Sequence, residues 1–199
     1  YYSNVSHISY LTEDFMTELN SEINLETLLQ FLLETEIFAH LTTSEITEMA
    51  TILDIQRHAK GEVIFSEGDI GDAWYVVYQG RLTVSKHIPF KDDSRVASIA
   101  RGATFGEMAI LTSTPRSATI VAREDVVLMR FARRKFERLL EEGKLGAYKV
   151  VLGMGRILSE RHRFVTQQVA DLQRQVDELY DDAEDDNTDM FERTDLFTK

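Results

Sequence analysis

Residues 105–119 read FGEMAILTSTPRSAT, and this run concentrates the side chains able to do chemistry. Gly106 permits an unusual turn or the close approach of a ligand to the backbone. Residues 107–111 can begin a short helix, whose unpaired N–H groups favour an anion. Arg116 carries a planar fork that matches two phosphate oxygens at once. Ser117 and Ala118 are small, so their backbone amides and the Ser117 hydroxyl can approach a ligand. Glu107 would repel a phosphate and must serve something else; a sugar hydroxyl suits an ionised carboxylate, which is a strong acceptor. One acid for a ribose, one arginine for a phosphate and a helix start together describe a site for a nucleotide monophosphate. The competing arrangement is a buried ion pair between Glu107 and Arg116 that stabilises a loop.

The residues around this run must supply its scaffold. Six of the ten glycines fall at 61, 68, 71, 80, 102 and 106. Short stretches rich in β-branched and aromatic residues lie at 63–65, 74–78, 82–84, 96–99, 119–121 and 126–131. EGDIGD (67–72) and HIPFKDDSR (87–95) carry turn residues. Short strands separated by turns predict an antiparallel barrel or jelly roll. With helices on both sides, the class is α+β: an antiparallel, jelly-roll-like β-roll flanked by helices, with a long C-terminal helix.

Helical periodicity brackets the β unit. Phe15, Leu19, Ile23, Leu25, Leu28, Leu29 and Leu32 predict a helix over 12–34. Thr42 and Glu45 fit a capping box, followed on one face by Ile46, Met49, Ile52 and Leu53. Helix returns at about Arg133, breaks near residues 142–143, and runs again from about 145 to 180. In that last helix Gly155, His162, Val169 and Val176 take the a positions of a heptad, and Leu158, Val165, Leu172 and Leu179 the d positions. Valine at a with leucine at d predicts a parallel two-stranded coil, and so a homodimer joined through the C-terminal helix. The alternative is one helix laid on its own domain. Gly143, Gly146, Gly153 and Gly155 loosen the helix start, as hinges or as points of close packing. The expected division is a helical region 1–54, a β-roll 55–142, a long helix 143–180 and a solvated acidic tail 181–199.

Composition excludes several function classes. Hydrophobic residues make up 43%, enough for a folded core. The absence of cysteine rules out disulfides and thiolate metal sites. His7, His40, His58, His87 and His162 are scattered, with no pair at metal-ligand spacing. Neither a Walker loop nor a nucleophile motif is present, so no enzyme activity, catalytic residue, cofactor or metal is expected. The net charge of −12 is uneven: residues 1–54 hold ten acids and no Lys or Arg, 55–175 fourteen acids against twenty bases, and 176–199 ten acids against two bases. Acidic ends repel nucleic acid, while the basic middle can hold one small anion. The apolar runs FLLETEIF and AYKVVLGMG are too short to span a bilayer, and no secretory pattern follows Tyr1. The chain is therefore expected to be cytoplasmic and free of membrane contact, and Tyr1 in place of Met fits a fragment.

The stretches GEVIFSEGDIGDAWYVVYQGRLTVSK, RGATFGEMAILTSTPRSATIVA and DVVLMRFARRKFERLL resemble the cyclic nucleotide-binding domain family, over about residues 28–160. Residues 105–119 are similar to that family's phosphate-binding cassette. The resemblance implies that Glu107 binds the ribose 2′-hydroxyl and Arg116 the cyclic phosphate. It implies that Phe105, Gly106, Met108, Ala109, Ser117 and Ala118 complete the cassette. The family's cyclic-GMP binders often place Thr after the cassette arginine, and this chain has Ser117, so the expected ligand is cyclic AMP, with cyclic GMP possible. The base is usually covered from the helix after the β-roll; Tyr148, Arg156 and Arg163 are the candidates, and Arg156 could stack on it or stand solvated. The expected function is a regulatory receptor that rearranges its helices on binding and signals to a protein effector of unknown identity. The alternatives are a transcription regulator without its DNA-binding part and the cytoplasmic ligand-binding part of a larger membrane protein. No DNA-reading module fits the roughly twenty acidic residues after the long helix.

Overall fold

Asn24 accepts a hydrogen bond from the Thr27 amide at 2.8 Å and thereby starts helix α1, Leu25–Glu34. It is the first residue described in this structure, a computed structural model that describes residues 24–88 and 91–192. A short 3₁₀ turn, Glu36–Phe38, leads to helix α2, Thr43–Ala50. The capping box at its start forms as the sequence predicts: Thr42 N–H donates to Glu45 Oε2 at 2.7 Å, and Glu45 N–H donates to Thr42 Oγ1 at 3.3 Å. The chain divides into two units, one ending at Met154 and one beginning at Gly155.

Within the first unit, the strands form two antiparallel sheets. One runs β1 (Leu53–His58), β8 (Val126–Ala132), β3 (Ala73–Gln79), β6 (Thr104–Phe105). The other runs β2 (Val63–Phe65), β7 (Thr119–Ala122), β4 (Arg81–Ile88), β5 (Lys91–Ala100). This is the expected β-roll. Ala73, Tyr75 and Val77 of β3 join Leu82, Phe105, Ile120, Ala122, Val126 and Leu128 in its core. Their alternate, Trp74, is also fully buried, stacked on Phe131 at 4.1 Å and meeting Phe136 edge-on at 5.9 Å and Phe38 at 6.0 Å. β3 is thus covered on both faces, which is why AWYVVY is a continuous apolar run without alternation.

Three helices complete the described chain: α3 (Glu107–Thr112), α4 (Arg133–Glu141) and α5 (Leu145–Glu192). α4 stops near residues 142–143 as expected, with Gly143 in the left-handed region at φ 72°. Of the candidate hinge glycines, two are packing sites. An added Cβ would lie 3.0 Å from Glu45 Cβ at Gly146 and 2.9 Å from Ile37 O at Gly153, whereas at Gly155 it would meet nothing within 4 Å.

Some boundaries differ from those read in the sequence. α2 ends at Ala50, and Leu53, expected on its apolar face, begins β1, where it pairs with Phe131. The ladder with β8 fixes these residues, and tertiary pairing outweighs the helical period. His87, Ile88 and residues 91–95, expected as turn, belong to β4 and β5, leaving residues 89–90 outside the described ones. α5 continues through residues 181–192, assigned above to a solvated tail, because extending an existing helix is far easier than nucleating one. Residues 12–23 of the first expected helix, and 193–199, lie outside the described residues.

Two ion pairs fasten α2 to the chain around the start of α5: Lys149 with Glu45 at 2.8 Å and Lys144 with Glu48 at 2.7 Å. The Lys149 ammonium, with the Thr42 amide next in weight, holds the Glu45 carboxyl below its ordinary value. A carboxyl depressed on folding stabilises the protein above its unfolded value, near pH 4.3, and loses that contribution as pH falls through its lower folded value. Glu45→Gln should therefore cost about 1 kcal/mol at pH 7. Urea unfolding should show this gap constant down to about pH 5 and closing below pH 4; a gap independent of pH would contradict the pairing.

Candidate functional site

The cassette begins where β6 ends. Phe105 is buried and stacks on Tyr75 at 5.0 Å, with Phe65 at 5.9 Å, so the strand end is locked into the core. Gly106 then turns the chain at φ 77° and caps α3. A Cβ at Gly106 would lie 2.6 Å from Arg116 Nη1, so both the backbone angle and the space require glycine. On α3, Glu107 and Ala109 face inward, while Met108 is exposed. The far end of α3 is held by Arg133, whose Nη2 donates to the carbonyl of Ala109 and, at 3.3 Å, to that of Ile110, and at 3.2 Å to Ser113 Oγ.

Arg116 is fixed through its backbone and its side chain. Its N–H donates to the Asp69 carbonyl at 2.8 Å, and its carbonyl accepts from Gly68 N–H at 2.9 Å, so the 67–72 loop grips it from both sides. The guanidinium lies 4.0 Å above the Phe65 ring centroid and donates from Nη1 to the Gly106 carbonyl at 3.0 Å. Asp72 stands 3.7 Å away, but Asp72 is held more closely by Arg130, at 2.6 Å. Arg116 is 4% exposed and Glu107 3% exposed. Burial pulls the guanidinium below its ordinary value, against the pull of Tyr75 and Asp72, and it stays charged at neutral pH. Its buried Nε has no hydrogen-bond partner. A buried cation with an unused donor, and with the Asp72 carboxylate no nearer than 3.7 Å, is arranged to accept an anion.

Phe105, Gly106, Glu107, Met108, Ala109, Arg116, Ser117 and Ala118 thus fall within this one cassette of the first unit. Ser117 is exposed, with Oγ 4.0 Å from Met108 Sδ, and Ala118 is half-buried. Arg156 is an exposed residue of the second unit. Sequence reasoning missed four supporting residues. Gly71, seen as a turn glycine, lies against α3: a Cβ there would come 2.2 Å from Ala109 Cβ. Asp72, Phe65 and Tyr75 surround the Arg116 guanidinium. The Gly-Asp pair within EGDIGD was the available signal; the rings give none, since core and cation-facing aromatics read alike in sequence.

Residues 55–143 match the family model of the cyclic nucleotide-binding domain. The chain contains a cyclic nucleotide-binding domain. Among curated relatives, human Rap guanine nucleotide exchange factor 3 is 33% identical over 120 residues, 59% of this chain and 13% of that protein. The cAMP-dependent protein kinase regulatory subunit of Hypocrea atroviridis is 36% identical over 110 residues, 55% of this chain and 23% of that protein. The chain therefore spans less than a quarter of either relative. The regulatory domain of Toxoplasma gondii PKA, solved with cAMP, aligns with 68% of this chain and 49% of its own at a TM-score of 0.58 and 25% identity. The match and these neighbours agree with the β-roll and with a regulatory domain. No group of three or more His, Asp or Glu suited to a metal ion occurs among the described residues, and no described helix is long and apolar enough to cross a membrane.

The contact between Gly71 and Ala109 fixes how closely α3 sits on the 67–72 loop. Gly71→Ala should cost about 1–3 kcal/mol through overpacking. Adding Ala109→Gly, which removes the colliding Cβ, should restore part of that loss despite the lower helix propensity of glycine. Chemical unfolding followed by fluorescence of Trp74, the single tryptophan, reads both values. Strictly additive losses would show that the two positions do not meet.

Proposed function

We propose that this domain is a cyclic AMP receptor whose cassette takes the cyclic phosphate at Arg116 and the ribose 2′-hydroxyl at Glu107, as the family resemblance implies. The observation that carries this reading is the buried guanidinium of Arg116, with Nε unpartnered and the Asp72 carboxylate, 3.7 Å away, shared with Arg130. Ser117, exposed at the cassette edge, suits cyclic AMP as well as cyclic GMP, and the solved PKA neighbour bound to cAMP favours cyclic AMP.

Signalling would run through the helices. Ligand favours one arrangement of the cassette and so shifts an equilibrium. Arg133, at the first position of α4, already holds the α3 carbonyls, so a displacement of α3 pulls directly on α4. The ion pairs of Lys144 and Lys149 then connect the chain beyond α4 to α2. The output is a protein effector in the cytoplasm, and the domain itself turns nothing over.

Isothermal titration tests the proposal. Cyclic AMP should bind with release or uptake of heat, and more tightly than cyclic GMP. Arg116→Ala should weaken binding by about 2–5 kcal/mol, as truncation of one partner in a buried charged contact does. Glu107→Ala should weaken cyclic AMP binding yet leave that of 2′-deoxy cyclic AMP nearly unchanged. Absence of heat with both cyclic nucleotides at millimolar concentration would overturn the reading.

A further inference from the structure

The second unit consists of α5 from Gly155 onward, and two features of it are unbalanced. The first is its apolar seam. Val165, Val169, Leu172, Val176 and Leu179 all stand exposed, Leu179 at 69%. A long helix in water gains most of its stability from a covered apolar face, and this one leaves its face open. The second is charge. Residues 156–163 carry three arginines against one glutamate, whereas residues 177–192 carry nine acids and no Lys or Arg. Acids recur four apart at 177 and 181, 178 and 182, 181 and 185, and 182 and 186, spacings at which like charges repel. They also sit toward the helix C-terminus, where the macrodipole disfavours them.

A parallel partner would cover the seam and aggravate the charge. It would set the two acidic segments side by side, and each His162 against its own copy. Reversing the partner satisfies both requirements. We infer that α5 pairs with α5 of a second copy of this chain in antiparallel orientation, with the basic segment 156–163 of each beside the acidic segment of the other. In this register His162 faces the partner's Leu179, Val165 the partner's Val176, and Val169 the partner's Leu172. These are a-to-d layers, and they use six of the eight heptad positions that suggested a parallel coil. Both helix dipoles then oppose, and the arginines neutralise the acids that weaken each helix alone. The charge asymmetry thus selects a second, inverted copy as the occupant of the seam and reverses the orientation expected from the a and d residue types.

The absence of native cysteine makes the test clean. H162C and L179C are introduced separately into the full chain, and each is oxidised alone and after mixing. In the antiparallel pair the two like positions lie ~25 Å apart, and the unlike positions touch. The expected result is a disulfide dimer in the mixture, with neither variant linking to itself. Self-linking of L179C would show a parallel coil and overturn the inference. Unaltered protein supplies the arm that needs no variant: sedimentation at tens of micromolar should show a dimer that dissociates as salt is raised. A monomer at low salt would equally overturn it, leaving the seam to some other partner.

Discussion

The buried guanidinium of Arg116 is the constraint on which the site depends. Removing a cation from water is costly unless it is paired and hydrogen-bonded, and here the protein supplies only part of that compensation. One carbonyl, the rings of Phe65 and Tyr75 and a carboxylate at 3.7 Å hold the charge in place. Much of the surrounding geometry follows from that. Gly106 must lack a side chain because Nη1 occupies the space, and Gly71 must lack one because α3 lies against it. The 67–72 loop must grip the Arg116 backbone, because a guanidinium aimed this closely cannot be left on a mobile segment.

The β-roll supplies rigidity to this arrangement, and β3 carries most of it. Tyr75 stacks on Phe105 just before the cassette, while Trp74 on the opposite face stacks on Phe131 just before α4. A single strand therefore buttresses both the entry to the ligand cassette and the exit toward the helices. Asp72, immediately before β3, touches Arg116 and Arg130 with its carboxylate and accepts from the Arg133 amide at 2.7 Å through its carbonyl. Cassette, sheet and α4 meet around this one residue.

Much of this was legible in the sequence. The residue types of Gly106, Glu107 and Arg116 marked out a candidate site for a sugar and a phosphate, and the family resemblance likened it to a phosphate-binding cassette, since the chemistry lies within a dozen consecutive residues. The glycine-punctuated strands gave the β-roll, and the capping box at Thr42 and Glu45 formed as read. What could not be read depends on long-range pairing. Leu53, the first residue of β1, reads as helix because it fits either period, and only its ladder with β8 decides. β6 has two residues and cannot display a period at all. The roles of Phe65, Tyr75 and Asp72 arise where distant segments converge, and Gly71 looked like any turn glycine until α3 was placed against it.

The most direct test of the central claim observes the Arg116 Nε–H itself. In isotopically labelled protein, this proton can be assigned by its loss in Arg116→Lys and followed by NMR during titration with cyclic AMP. A donor that gains a phosphate oxygen should move downfield and exchange with water more slowly as the site saturates. Saturation by cyclic AMP with the Arg116 Nε–H resonance unmoved would contradict the claim that this guanidinium receives the phosphate.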